Sequence, residues 1–297
     1  MERYTTQFGP QRVEFPRRPM VMGIVNVNDD SFSGDGSLIV EELIAQCVSQ
    51  ISAGADIVDL GAESARTNRE AISEAEEVRR LHSVLEHWEQ IVAKSAPRDE
   101  EQVFPPVVSI NTWRPQVIRE VMTGPYGEII GLVNDMSALA YPETLEIMRE
   151  SEAAWLLMHS VGLPKQDHSS QRWDDIVVAV EGFFEEKVEQ ALAAGIPRER
   201  LVLDPGLDFA KPSEDSIRLI AEVERFKRFG CFLLLPLSRK NFIGEVLQEE
   251  EPQRRDAGTV ACIPALMGLS GVMLRVHHVE AAWQAVKVLS ALGEGAQ

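Results

Sequence analysis

The sequence predicts an α/β fold, a single (β/α)8 TIM barrel, and three observations carry that expectation. Short apolar runs recur along the 297 residues, and most lead into a polar, Gly-containing or Asn/Asp-containing junction and then a helical pattern. Several runs, MVMGIVN and CFLLLPL among them, are apolar almost without alternation, as parallel strands buried on both faces must be. Polar residues capable of chemistry follow these runs, at the strand ends where a parallel barrel assembles its active site.

Taken in order, strands are expected over 20–26, 56–60, 107–111, 130–134, 154–159, 201–204, 231–237 and 272–276. The intervening segments have the length and period of crossover helices, for example 38–53, 70–92, 173–194 and 213–229. Such β/α units in a chain of this length fit one closed barrel over 20–297, preceded by an N-terminal extension over 1–19. The stretch KSAPRDEEQVFPP, 94–106, is charged and proline-rich and reads as a solvated surface loop.

Composition narrows the partners. With 47 acidic against 29 basic residues the net charge is -18, a long-range field that repels nucleic acid and anionic membranes. An anionic substrate therefore needs a local cluster of Arg, Lys or metal. At 44% hydrophobic residues the chain can build a large core without disulfides or metal. Cys47, Cys231 and Cys262 lack CxxC spacing and read as small buried hydrophobes in a reducing compartment. No apolar run has membrane-span length, and MERYTTQFGPQRVEFPRR places acids and prolines where a signal peptide needs an apolar centre, so a cytoplasmic location is expected.

Asn26, Asn111, Asn134, His159, Asp204, Arg239 with Lys240, and Arg275 with His277 all lie at or just past the carboxyl end of an expected strand. The first junction, NVNDDSFSGDG, offers Asp29 and Asp30 to a cation, or else is an Asx-rich turn capping the next helix. The second, DLGAESARTNRE, offers Arg66 and Arg69 to an anion, with Arg66 nearer the strand end. In LRVHH, strand alternation turns Arg275 and His277 into the mouth and His278 away from it, so that Arg275, His277 and Arg66 can share a diphosphate.

Asp204 is followed at once by Pro205 and Gly206, which fixes its carboxylate where it can read two N–H groups of a heterocycle. Lys240 can donate to the same heterocycle and Arg239 can stack on it, while His159 is either a satisfied structural histidine or a pocket wall. The chain has no histidine or histidine/cysteine cluster for zinc, no Walker A loop and no GxGxxG, and Ser31, Ser64 and Ser238 lack an evident base. This inventory suits binding and charge stabilisation rather than covalent catalysis.

From about Met20 to Leu292 the chain resembles the dihydropteroate synthase family, through MGIVNVNDDSFSGDG, GADIVDLGAESAR, VVSINTW, GLVNDMSA, LLMHS, LVLDPGLDFAK, LSRKNFIG and LRVHHV in the family's order. The resemblance implies a barrel enzyme, usually a homodimer, that joins 6-hydroxymethyl-dihydropterin diphosphate to 4-aminobenzoate and releases diphosphate with Mg2+. It implies pterin contacts at Asn111, Asn134, Asp204 and Lys240, and a diphosphate and metal side at Asn26, Arg66, Arg275 and His277. Asp30 and Phe32 match the family's mobile first loop, Phe209 and Arg239 match residues beside the aminobenzoate, and Met158 matches a pocket wall. Lys240, Asp30 and Arg66 are the catalytic candidates, and Asn26 the metal ligand.

The departures from the family's pattern are local. Asn111 stands where an acid is expected, Asn28 and Asp29 replace Thr-Pro in the first loop, and Ala65 and Thr67 replace a threonine and a proline. Asn241 replaces a serine, and His278 an aspartate. Several of these changes fall where the amine binds, so the alternative is a diverged pterin-binding barrel, either a transferase with another acceptor or a non-catalytic homologue.

Overall fold

The computed structural model describes residues 4–15, 17–29, 36–63, 70–137, 139–162, 166 and 170–294. It opens with an antiparallel hairpin of β1 (Tyr4–Phe8) and β2 (Gln11–Phe15). Then come β3 (Met20–Asn26), α1 (Val40–Ser52), β4 (Ile57–Gly61), α2 (Glu74–Leu85), α3 (Trp88–Lys94), β5 (Val107–Asn111) and α4 (Pro115–Thr123). They are followed by β6 (Ile130–Asp135), α5 (Glu143–Glu150), β7 (Ala154–Met158), α6 (Ile176–Ala193), β8 (Leu201–Asp204) and α7 (Ser213–Ala221). The chain ends with β9 (Phe232–Leu235), α8 (Asn241–Leu247), α9 (Asp256–Ala261), β10 (Val272–Val276) and α10 (Val279–Glu294).

Strands β3 to β10 close into a parallel barrel in sequence order, β10 pairing with β3, as the eight expected strands require. Differences from the expected boundaries have local causes. The segment 213–229 is α-helical only as far as Ala221; beyond it Val223, Phe226 and Phe229 are buried at a spacing of three, the repeat of the 3-10 helix they form. The segment 70–92 divides into α2 and α3, and α2 is capped by Ser73, whose side chain accepts the Glu76 N–H.

The loop 94–106 is exposed over much of its length, as expected of a surface loop, but it is pinned to the barrel at Gln102 and Val103. Gln102 is buried and its amide donates to the Ile51 and Ala55 carbonyls at 2.8 and 2.9 Å, while Val103 N–H donates to Asp56 at 2.9 Å. Asp56 is itself wholly buried, pairs with Arg18 at 2.8 Å and accepts the Val21 N–H. Some of its charges are paired at the surface, with Lys287 of α10 reaching both Asp99 and Glu101. Of the cysteines, Cys47 and Cys231 are buried as expected, whereas Cys262 is only partly so.

The hairpin gives the N-terminal extension a structural purpose. Phe8, Val13 and Phe15 join the inward-facing Met20, Met22, Ile57, Val107, Leu132, Leu156, Val202, Phe232 and Met273 in one apolar cluster, separate from the cluster between strands and helices. Phe232 is the contact point, with ring centroids 5.8 Å from Phe8 and 5.1 Å from Phe15. Gly9, at φ 56°, brings its backbone within 3.0 Å of the Ile130 carbonyl oxygen, measured from where a Cβ would stand, so the turn lies against the barrel edge. The hairpin thus plugs the amino-terminal end and leaves the carboxyl end as the open mouth. Among the described residues no helix is long and apolar enough to cross a membrane.

Truncating Phe232 to Ala should leave a cavity between plug and barrel and cost about 3–5 kcal/mol of stability. Urea denaturation followed by intrinsic fluorescence measures it, and a loss under about 1 kcal/mol would mean that the hairpin does not fill the floor.

Candidate active site

Strand alternation sorts the barrel interior into levels. Above the apolar levels the same inward rows continue as Asp59 on β4, Ser109 and Asn111 on β5, Asn134 on β6, Asp204 on β8 and Arg275 on β10. Asn26, Gly61, Asn111 and Asn134 are consecutive register partners across four strands, and the missing side chain at Gly61 keeps the space between Asn26 and Asn111 open. Of the residues expected at the mouth, Asn26, Asn111, Asn134, Asp204 and Arg275 therefore share these inward rows.

Their common partner is Asp59, which sequence reasoning missed. It is wholly buried and accepts from Ser109 Oγ at 2.6 Å, Arg275 Nε at 2.8 Å, Asn134 Nδ2 at 3.1 Å and Asn111 Nδ2 at 3.3 Å. An acid inside IVDLG, a strand otherwise buried on both faces, was the signal that could have found it.

Asp204 ends β8 beside Met158, its register partner on β7. Its Oδ1 accepts the Gly206 N–H at 2.7 Å, and Gly206 adopts φ 68° with a Cβ position only 2.0 Å from the His159 carbonyl oxygen, so glycine is required for the turn that fixes the acid. Burial pushes the Asp204 carboxyl up to about 6, against the pull of that N–H and of Lys240, Lys211 and Arg275.

Lys211 is a second residue the sequence reading passed over. Its buried ammonium donates to the carbonyls of Gly206 at 2.8 Å, Phe209 at 2.9 Å and His159 at 3.2 Å, clasping the 205–211 loop to the end of β7. Burial lowers its pKa to about 7, opposed chiefly by Asp204.

Lys240 caps α8 and donates to the Leu207 carbonyl at 2.9 Å, with its nitrogen 4.8 Å from the centre of the Phe209 ring. Burial lowers its pKa, while Asp208 and Asp204 raise it. Arg239 is in the left-handed region at φ 60°, and its guanidinium makes a two-point pair with Asp256 at 2.8 and 2.9 Å. That pairing commits the group expected to stack on a heterocycle. His277 sits beside Ser238, whose hydroxyl lies 2.8 Å from Nδ1 and also accepts the His277 backbone N–H.

His159 takes the structural alternative in this geometry: its ring packs on Trp173 and Phe183, and burial lowers its pKa to about 2. His278 is exposed and accepts the Ala281 N–H at 3.1 Å, serving the start of α10 as expected for a residue turned from the mouth. Asn241 is exposed, and its backbone N–H donates to Asp208.

The first junction is closed at its base. Asn28 is buried, a Cβ on Gly36 would come within 2.2 Å of the Asn28 carbonyl oxygen, and Ser37 N–H donates to Asn26 at 3.1 Å. Asp29 is exposed. The flank of the second junction is held by Arg114, which bridges the buried acids Glu63 (2.6 Å) and Glu77. Asp30, Ser31, Phe32, Ser64, Ala65, Arg66, Thr67 and Arg69 lie outside the described residues.

With that geometry in hand, the chain can be compared with known proteins. The profile of the family described as pterin binding enzyme matches residues 22–277. The dihydropteroate synthase of Escherichia coli K12 is 35% identical over 279 residues, covering 92% of this chain and 91% of the relative, and that of Synechocystis is 33% identical over 96% and 93%. Among solved structures, the Yersinia pestis dihydropteroate synthase with a sulfonamide drug superposes with a TM-score of 0.82 at 30% identity, covering 95% of this chain and 97% of that one. The Xanthomonas albilineans enzyme in complex with 7,8-dihydropteroate gives 0.76 at 31% identity, covering 94% and 95%. The profile match, the identity over almost the whole length and the shared barrel show that this chain belongs to the dihydropteroate synthase family of pterin-binding enzymes.

Proposed function

We propose that the barrel mouth catalyses the reaction for which these relatives are named, joining 6-hydroxymethyl-7,8-dihydropterin diphosphate to 4-aminobenzoate to give 7,8-dihydropteroate and diphosphate. The observation that carries this reading is the convergence of Asn111, Asn134, Asp204, Lys240 and Arg275 on one mouth, in a chain whose family binds pterins. Asp204 takes the guanidine-like edge of the pterin with its fixed carboxylate, and Lys240 and Asn134 take the other polar atoms of the ring. Met158 and Phe209 supply the apolar wall.

Arg275 and His277 face the diphosphate, concentrating positive charge against the global field of an acidic chain. As the methylene C–O bond breaks, its electron pair goes to the departing diphosphate, and the arginine stabilises that charge. The aromatic amine then forms the C–N bond and loses a proton; no protein nucleophile is needed. Lys240, close to both Asp204 and Arg275, adds its charge to the same field, and Asp30 and Arg66, in the first and second junctions of the sequence, complete the catalytic set. The aminobenzoate ring takes the Phe209 side, and the Arg239 guanidinium is shared between Asp256 and the aminobenzoate carboxylate.

Mg2+ fits the donor set. Asn26 offers a hard amide oxygen on β3, the strand next to β10 with its Arg275, and Mg2+ commonly takes few protein oxygens together with water and substrate phosphate. When bound it would stabilise charge on the leaving diphosphate. The reading includes a cytoplasmic homodimer. Free cysteines suit a reducing compartment, and exposed Val246 and Leu247 on α8 with Val288 and Leu292 on α10 provide apolar surface for a second copy. Light scattering should give twice the 33.1 kDa chain mass, and a monomer at micromolar concentration would remove the dimer from this reading.

Diphosphate release should require both the pterin diphosphate and 4-aminobenzoate, and Asp204→Asn should weaken 6-hydroxymethylpterin binding by about 1.5–3 kcal/mol through loss of a charge-assisted pair. Pterin binding without turnover would instead identify a non-catalytic homologue, and equal binding by the variant would remove the central contact.

The pH dependence has a definite sign. Binding uses the ionised Asp204 carboxylate, whose pKa is raised to about 6, so pterin affinity should be level above pH 7 and fall by up to about tenfold per unit below pH 6. Calorimetric titration from pH 5 to 8 measures it; an affinity unchanged down to pH 5 would show that the carboxylate charge is not used.

A further inference from the structure

Asp59 does not reach the mouth, being wholly buried beneath it, yet three of the residues that line the mouth donate to it from β5, β6 and β10. We infer that Asp59 is a positioning residue that sets the polarity of the pterin wall, holding Asn111 and Asn134 with their carbonyl oxygens toward the ligand and Arg275 in place beside them. The inference deepens the proposed pterin reaction and rests on it for the identity of the ligand.

An asparagine side chain is nearly symmetric in shape. Its oxygen and its NH2 have almost the same shape, so packing alone barely chooses between the two orientations, and the hydrogen-bond partners decide. An ionised carboxylate only accepts. Asp59 Oδ2 lies 3.3 Å from Asn111 Nδ2 and 3.1 Å from Asn134 Nδ2, so both amides turn their donors inward to it and their acceptor oxygens the other way. Either amide reversed would bring its own oxygen against the carboxylate, a repulsion between acceptors in a buried place.

The second consequence concerns Arg275. It donates through Nε at 2.8 Å, the atom at the base of the fork, so this contact leaves the two terminal NH2 groups to other partners. Ser109 adds a short hydroxyl bond at 2.6 Å to Oδ1, which fixes the rotation of the carboxylate itself. One buried anion thereby orients side chains on three other strands of this level of the barrel.

This gives the substitution at Asn111 a physical meaning. Where the family pattern places an acid, a neutral amide faces the pterin, but Asp59 makes that amide present an acceptor, the same hydrogen-bonding sign that a carboxylate would offer. Recognition of ring N–H groups is retained and the negative charge at that position is lost, with the carboxylate of Asp59 lying one strand over and one level down, on β4.

The test uses side-chain amide spectra of the whole, ligand-free protein together with titration of 6-hydroxymethylpterin. In the wild type the Asn111 and Asn134 NH2 protons should be downfield-shifted and slow to exchange; Asp59→Asn should abolish both features and weaken pterin binding about tenfold or more, with thermal melting as the check on folding. The double variant Asp59→Asn with Asn111→Asp puts the carboxylate back on the neighbouring strand, facing an amide donor at 59, and should recover most of the lost affinity. Unchanged amide signals in Asp59→Asn, unchanged pterin affinity, or a double variant no better than the single one would overturn the inference. Should the single variant fail to fold, the wild-type spectrum decides alone: fast-exchanging, unshifted NH2 protons at 111 and 134 overturn it, and protected ones support it. A wild type that shows the amide signature but does not bind the pterin would sink the proposed reaction while leaving Asp59 as the residue that orients these amides.

Discussion

Closure of eight parallel strands is the constraint on which everything else in this molecule depends. Once the sheet closes, every second residue of each strand is forced into a narrow interior with no solvent on either side. Those side chains must fill space at the bottom and satisfy one another's hydrogen bonds at the top. The lower levels solve the first problem with methionine, leucine, valine and phenylalanine, and with the hairpin pressing Phe8 and Phe15 onto Phe232. The upper levels solve the second with a carboxylate at Asp59 surrounded by donors from β5, β6 and β10.

The same closure sets the mouth apart from the net charge of the chain. The net charge of -18 is spread over the surface, whereas the mouth brings Arg275, Lys240 and Lys211 together with Asp59 and Asp204. Burial raises the Asp204 pKa and lowers those of both lysines, so each of these groups is easier to neutralise than in water and more sensitive to what binds beside it. The loop from Gly206 to Lys211 keeps the acid and the lysine in register: Gly206 makes the turn that no other residue fits, and Lys211 ties three carbonyls from beneath.

Buried pairs elsewhere hold the frame rather than the chemistry. Asp56 with Arg18 joins the segment after the hairpin to the start of β4 and to the 94–106 loop. Arg114 with Glu63 and Glu77 joins the end of the β4 region to α2 and α4. Breaking either by removing one member would leave a buried charge without its partner, which is why such pairs tolerate change poorly even where their net contribution to stability is small.

The barrel itself was legible in the sequence, because parallel strands buried on both faces write themselves as unbroken apolar runs and the crossover helices as amphipathic repeats; β3, β5, β8 and β10 begin and end where the pattern says. The mouth was half legible: Asn26, Asn111, Asn134, Asp204, Lys240 and Arg275 follow strand ends, and a strand end is a local feature. The hairpin and the pinned 94–106 loop were not legible, since a five-residue strand and a run of charges carry no sign of what they will meet. Nor was the pairing of Arg239 with Asp256, or the clasp made by Lys211. Asp59 shows the difference most sharply: the sequence places one acid in an apolar strand, but that it should face Ser109, Asn111, Asn134 and Arg275, up to 216 residues away, follows only when β10 closes onto β3. Periodicity along the chain determines which face a side chain takes, and closure of the barrel determines which other side chains share that face.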